Sequence, residues 1–479
     1  MKLLKKIAVL ALAGVLACGF IGCNKVTTVT DDRGVTVEGN KVYVGDYKEK
    51  SIIKVDFFDV GYGKDWIYEQ AKDFVYENQE YALYLNSDSS LVTNLEQKIT
   101  AGKNLSDLYI APEASWETFA VQDLLVPLDE VYEAKPDGED GKTVAEKMLD
   151  EYEQATTFDN KGETHHYVMP WTQMVTGIAY NADMFAEYGI EVPKTMSQFQ
   201  AACETIIEKS GGSVAPFVVP GKINGYFDFL GMNWWIQKVG LDGIKEFFAY
   251  DTVEVFNPDK EPYSGFKRAL EEFDKYFGNA EDKFGKYVLS GSMAKDAYTA
   301  QADFINGRAA MIINANWLEN EMGSLVESKN FNMKLMKVPT LDEVTEDPMV
   351  NYACAGFDFM CIPKESRNPE GAKAFLIFMC KDEQLLDFTR VTGTVRPFDY
   401  DYESLYDELS GFEQSVMDIL TSSSCTYFDN PTGPRRYKAQ KNLTQIPYMS
   451  IVSGSTPDAI CKAEYDEAKI RWDNEWAID

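Results

Sequence analysis

From residue 52 onward, short apolar β-type runs alternate with helical ones, and this alternation restricts the chain to folds built on parallel strands. Ile53, Val55 and Phe57 mark one side of a strand over 52–58, which Gly61 and Gly63 turn into a loop. Trp66, Ile67, Ala71, Phe74 and Val75 share a helical face. A strand over 81–85 follows, then a helix carrying Val92, Leu95 and Ile99 that Gly102 ends, then a strand over 107–111. Parallel neighbours need a crossover, and a helix between strands supplies one.

The middle of the chain repeats the pattern with sharper punctuation. Asp159 to Gly162 forms a turn signal, 167–170 a returning strand, and 177–180 a strand leading into a helix that Asn181 caps and Gly189 stops. Thr195 and Gln198 fit a capping box for a helix running to Gly211 and Gly212. Asn368 and Pro369 pair a cap with a first-turn proline, ahead of Ala372, Phe375, Leu376 and Met379 on one face. Thr456 and Pro457 open a last helix ending near Trp472 and Trp476. With 479 residues, the chain exceeds what one core usually fills, so two lobes are expected.

The first residues form a leader. Lys2, Lys5 and Lys6 precede an apolar run over 7–17 that is too short to cross a bilayer unaided. Phe20-Ile21-Gly22-Cys23 is similar to a bacterial lipobox, so Cys23 is expected to carry lipid, with Cys18 as the rival site and a soluble secreted product as the alternative. The polar stretch after Cys23 is expected to act as a tether. A formal charge of -31 gives no basic face for nucleic acid or anionic membranes, and cleavage before Cys23 removes three more lysines and no acid. Two histidines leave little for histidine chemistry. His165 and His166 fall on opposite faces of a strand, and no cysteine forms a CxxC pair, so neither metal nor cofactor is expected and the six later cysteines are buried thiols.

Five ordered segments then carry a family resemblance. The lipobox and Gly-containing first loop, "AGKNLSDLYIAPEASWETFAVQDLLVPLDE", "YVMPWTQMVTGIAYNADMFAEYGIEVPKTMSQF", "FINGRAAMIINANWLENEM" and "IPKESRNPEGAKAFLIFM" resemble family 1 extracellular solute-binding proteins of bacterial ABC importers, the group containing maltodextrin binders. The resemblance implies an α/β, two-lobed periplasmic-binding-protein-like fold of class II. Its hinged lobes would close over a mono- or oligosaccharide and deliver it to permease subunits, in a monomer held on the outer face of the cell membrane. The implied organisation is a leader over 1–22, a tether over 23–50, a first lobe from 51–172 and 341–395, and a second from 173–340 and 396–479. Hinges are expected near 171–174, 338–340 and 394–397.

The same resemblance places candidate ligand contacts. Ala111 stands where maltodextrin binders have a stacking tryptophan, leaving Glu113 and Trp116 as substitutes in that loop. Trp171 and Gln173 follow the strand into the first hinge, with a flat ring for a sugar face and a side chain that both donates and accepts. Tyr226 matches a stacking tyrosine, with Asp228 beside it. Of Trp234 and Trp235, one is expected in the core. Asn316 and Trp317 match a turn whose tryptophan stacks on sugar, and Trp317 is the foremost candidate. Asp358 sits in a return strand and Arg435 in a late loop. A lipid-anchored glycoside hydrolase is the rival class, since abundant carboxylates offer acid and base pairs. A receptor of the same fold for peptide or polyamine is the other alternative. No serine elbow, HExxH helix or phosphate loop supports other catalysis.

Overall fold

Ile53, Val55 and Phe57 are fully buried on the strand Ser51–Phe57. That strand is the centre of the first sheet, because it pairs in parallel with Tyr81–Ser87 on one side and Leu108–Ala111 on the other. The computed structural model describes residues 27–112, 116–160, 162–223, 225–278, 283–353, 358–427 and 447–476; the leader, Cys23, Glu113 and Arg435 lie outside them. Helices Asp65–Glu77 and Leu91–Ala101 make the crossovers, the second ending on Gly102 in the left-handed region. Phe359–Cys361 then runs antiparallel between Leu108–Ala111 and Met169–Pro170.

Much of the stretch expected as a tether is instead sheet. Thr28–Thr30, Val35–Glu38 and Lys41–Val44 form an antiparallel meander whose last strand pairs with Tyr81–Ser87, making an eight-stranded sheet. Its polar residues alternate with valines, and Val35 and Val42 are buried; period-two alternation is how a half-covered strand reads.

The second sheet has the order Ala215–Val218, Ala309–Ala315, Thr176–Asn181, Met333–Met336. Here the parallel expectation holds for only one pair, Ala215–Val218 with Ala309–Ala315; Thr176–Asn181 is antiparallel to both of its neighbours. Thr176–Asn181 enters from the junction with the first lobe, whereas Ala309–Ala315 ends at that junction. Both faces are covered. Phe217, Met311 and Ile313 join the cluster built on helices Met196–Ser210, Gly225–Ala249 and Tyr263–Phe277, while Val218, Ile312 and Leu335 join the opposite one. The long helix Gly225–Ala249 breaks at Gly240, whose φ of 73° lies in the left-handed region. Trp234 and Trp235 are both core, their indoles donating to the carbonyls of Pro339 and Pro262.

The expected caps are present at Thr195 with Gln198, at Asn181, at Asn368 before Pro369 and at Thr456 before Pro457. The chain leaves the first sheet through 171–175, near the first expected hinge. Residues 338–340 are not a crossing: Thr340 donates to Lys194 and Val338 accepts from Gln237, within the second lobe. The strand Val350–Tyr352 still belongs to that lobe's core, so the return to the first sheet comes after it. Residues 397–399 stay with the first lobe, where Pro397 accepts from Leu149 and Asp399 donates to Lys147.

Helix Pro457–Trp472 packs against Tyr263–Phe277, and there Glu464 accepts a hydrogen bond from the Tyr263 hydroxyl. Burial pushes the Glu464 carboxyl up to about 7. The folded state therefore holds this proton more tightly than the unfolded chain, and stability from this site falls as pH rises from the ordinary carboxylate range through about 7. A rise of that size is worth up to about 3 kcal/mol. Glu464→Gln should be more stable than wild type in urea melts at pH 8, with the difference shrinking towards pH 5.

Candidate functional site

The loop after Ser51–Phe57 reaches the second lobe. Gly61 takes a φ of 94°, and a Cβ built on it would stand 3.5 Å from Cβ of Trp317. Beside it the buried Tyr62 donates its hydroxyl to Asn316 Oδ1 at 3.4 Å. Asn316 and Trp317 follow directly on Ala309–Ala315, and helix Leu318–Lys329 begins after them. Both lobes therefore meet where parallel strands of each end, the place at which open α/β sheets receive ligands.

Aromatic rings line this junction on both sides. On the second lobe, Trp317 is partly buried and packs against both apolar clusters. Tyr226 meets it edge-on at 6.3 Å and accepts a hydrogen bond from its indole at 3.4 Å, and Phe229 lies 6.0 Å away. On the first lobe, Trp171 is stacked on Trp66 at 5.3 Å, with Tyr62 and Phe388 against its edges and its indole donating to Ala111. Trp171 is only 1% exposed, so it is a core ring in this structure and not an open platform. The polar residues that follow it, Thr172 and Gln173, are themselves buried.

Gln173 and Asn316, expected as ligand contacts, are engaged at the lobe crossings. The Asn316 amide donates to Val175 O, while its Oδ1 accepts from Val175 N at 3.2 Å. Its Nδ2 donates to Gln173 O at 3.2 Å and to the Thr394 hydroxyl. Gln173 in turn donates from its amide to Val395 O and from Nε2 to Thr426 Oγ1 at 2.6 Å. Thr176 Oγ1 donates to Tyr352 O and Asn351 Nδ2 to Met174 O. Side chains thus tie together residues 173–176, 351–352, 394–395 and 426.

The remaining candidates are dispersed around this centre. Trp116 is buried ahead of the short helix Glu117–Val121. Asp228 is buried in the first turn of Gly225–Ala249, where a helix favours negative charge. Asp358 is buried, and its carbonyl accepts from Trp171 N. Burial, with Asp358 and Glu321 nearby, pushes the Tyr62 hydroxyl well above its ordinary range. Glu321 accepts from Gln301 at 2.7 Å, and burial raises its carboxyl. Tyr298 is 51% exposed; partial burial raises its hydroxyl, and the nearby Glu321 and Asp59 add to the rise.

Sequence reasoning missed Tyr62 and Tyr298; Thr394 fell within an expected hinge stretch, without its bond to Asn316 being foreseen. An aromatic held between Gly61 and Gly63 in the first strand-end loop was the signal for Tyr62. The two histidines do lie apart: His165 bonds Asp129 while His166 stacks on Tyr132 at 3.8 Å. Among the described residues no cluster of three or more His, Cys, Asp or Glu could hold a metal, and no helix is long and apolar enough to cross a membrane.

Residues 71–404 match the family described as bacterial extracellular solute-binding protein. The diacetylchitobiose-binding protein NgcE of Streptomyces coelicolor is 22% identical over 382 residues, covering 77% of this chain and 76% of that protein. The melibiose/raffinose/stachyose-binding protein MelE of Bacillus subtilis is 46% identical over 55 residues, 12% of this chain and 13% of its own. Among solved structures, the GacH receptor of Streptomyces glaucescens, seen unliganded and with acarbose, has a TM-score of 0.63 at 16% identity, over 89% of this chain and all of that one. RafE in complex with raffinose matches with the same TM-score and identity over 87% of this chain. The fold they share is two-lobed.

Because Trp171 is closed in by Trp66, Tyr62 and Phe388, Trp171→Ala should cost about 3–5 kcal/mol of folding stability, read as a fall in denaturant midpoint.

Proposed function

The chain belongs to the bacterial extracellular solute-binding proteins, and on that premise we propose that it captures a sugar or small oligosaccharide between its lobes and delivers it to the permease of an ABC importer. The observation that carries this reading is Trp317. Its indole stands at the junction, partly open, with Tyr226 and Phe229 edge-on behind it and the Gly61 backbone across from it. A pyranose offers an apolar C–H face that suits such a ring, and its hydroxyls suit Glu321, one helical turn after Trp317, with Tyr298 and Asp59 in electrostatic reach of one another beside it. The names of the relatives, which bind diacetylchitobiose and the raffinose series, support the ligand class.

In this reading Trp317 and Tyr226 supply affinity, and the carboxylates select stereochemistry. Glu113 and Arg435 remain candidates for the cleft on sequence grounds. Cys23 anchors the mature chain to the outer face of the membrane through lipid. Fatty-acid labelling in cells should mark the wild type and not Cys23→Ser, which should be shed into the soluble fraction.

Calorimetry against diacetylchitobiose, raffinose, peptides and polyamines, with a glycan-cleavage assay in parallel, tests the ligand class. Saturable saccharide binding without turnover is the expected result; turnover would establish a hydrolase, and binding of only peptide or polyamine would change the ligand. Trp317→Ala should weaken saccharide binding about tenfold or more, at least about 1.4 kcal/mol, with the fold retained. Unchanged affinity together with a large loss of stability would make Trp317 a packing residue.

A further inference from the structure

The carboxamide of Asn316 uses its whole hydrogen-bonding capacity, two acceptor positions and two N–H donors, on partners from three different segments. Val175 N and the Tyr62 hydroxyl donate to Oδ1, and Nδ2 donates to Gln173 O and the Thr394 hydroxyl. The side chain is 3% exposed, so none of these bonds has a water substitute close at hand. With its own amide on Val175 O, Asn316 satisfies both backbone groups of Val175, continuing by a side chain the ladder that pairs Thr176 with Ala315.

Three features make this more than local packing. Segment 173–175 is the crossing from the first sheet to the second, and Thr394 belongs to the third tied segment, whose neighbour Val395 accepts from Gln173. Tyr62 comes from the strand-end loop of the first lobe that faces the junction. Asn316 is also covalently joined to Trp317, so any rotation about this clasp moves the indole. Bonds made by side chains can tilt as the lobes rotate, whereas a continuous β-ladder would resist bending.

We propose that Asn316 is a positioning residue for ligand capture. It fastens the 173–175 crossing, Thr394 and the Tyr62 loop to the seat of Trp317, so the position of the indole and the separation of the lobes are set together. Its role in capture rests on the sugar-binding reading; its control of lobe separation does not.

Small-angle scattering of the ligand-free protein and calorimetry with the saccharide that the wild type binds test this in Asn316→Ala and Thr394→Val. Thr394→Val keeps the shape of the side chain and removes one partner of the clasp, so it reports even where Asn316→Ala fails to fold. Both variants should give a larger ligand-free radius of gyration. Affinity should fall about threefold or more for Thr394→Val and about tenfold or more for Asn316→Ala, although neither change removes an aromatic ring from the junction. Folded variants with unchanged scattering and unchanged affinity would overturn the proposal, as would lower stability with affinity intact. If the wild type binds no saccharide, the sugar reading and the capture role fail together, and the ligand-free scattering still decides the clasp.

Discussion

Everything at the junction depends on how the strand Ala309–Ala315 ends. Its last residue pairs with Thr176, the first of the strand that enters from the other lobe, and the next residue is Asn316. A strand running out towards a junction and a strand running in from it must lie antiparallel, so the direction of the crossing fixes the mixed character of the second sheet. Once Asn316 has satisfied Val175, the chain is free to turn into helix Leu318–Lys329 and leave Trp317 at the corner. An aromatic ring beside a polar clasp is then a consequence of topology.

Local chemistry was legible where it is self-contained. The capping box at Thr195, the Asn368-Pro369 start and the Gly102, Gly189 and Gly211 stops depend on neighbours within one turn, and the structure contains them all. The three parallel strands of the first sheet were equally clear, because each is apolar on alternate positions or throughout. Relations across the fold were harder to read. Trp171 reads as a ligand contact from its place at a strand's end, yet the polar Gln173 near it serves the crossing and not solvent. The meander Thr28–Val44 looked like a tether because half of every half-covered strand is polar. Tyr62 and Thr394 lie hundreds of residues apart in sequence, and their meeting on Asn316 is visible only in the fold.

The distribution of aromatic rings follows the same division. Most serve the interior: Trp235 is packed among Phe247, Tyr263 and Phe266, and Trp66 against Trp171 and Phe388. Trp317 and Tyr298 are the contrasting cases, left open at the junction. Of the later cysteines, Cys203, Cys361, Cys380 and Cys461 are buried and unpaired, Cys425 is half-buried, and Cys354 lies outside the described residues. Burial pushes the Cys380 thiol up to about 11 and that of Cys461 up to about 12, which keeps them protonated and poorly nucleophilic.

The second lobe is assembled from distant parts of the chain, and that has a temporal side. Its sheet is complete by Met336, but Trp472 and Trp476, which close its core against Phe256, come long after it in the chain. Val350–Tyr352 likewise waits for its partner strand Cys425–Tyr427. During synthesis this lobe lacks these closing side chains until the segment carrying Trp472 and Trp476 has emerged, because domains fold as units and cannot finish without all their segments.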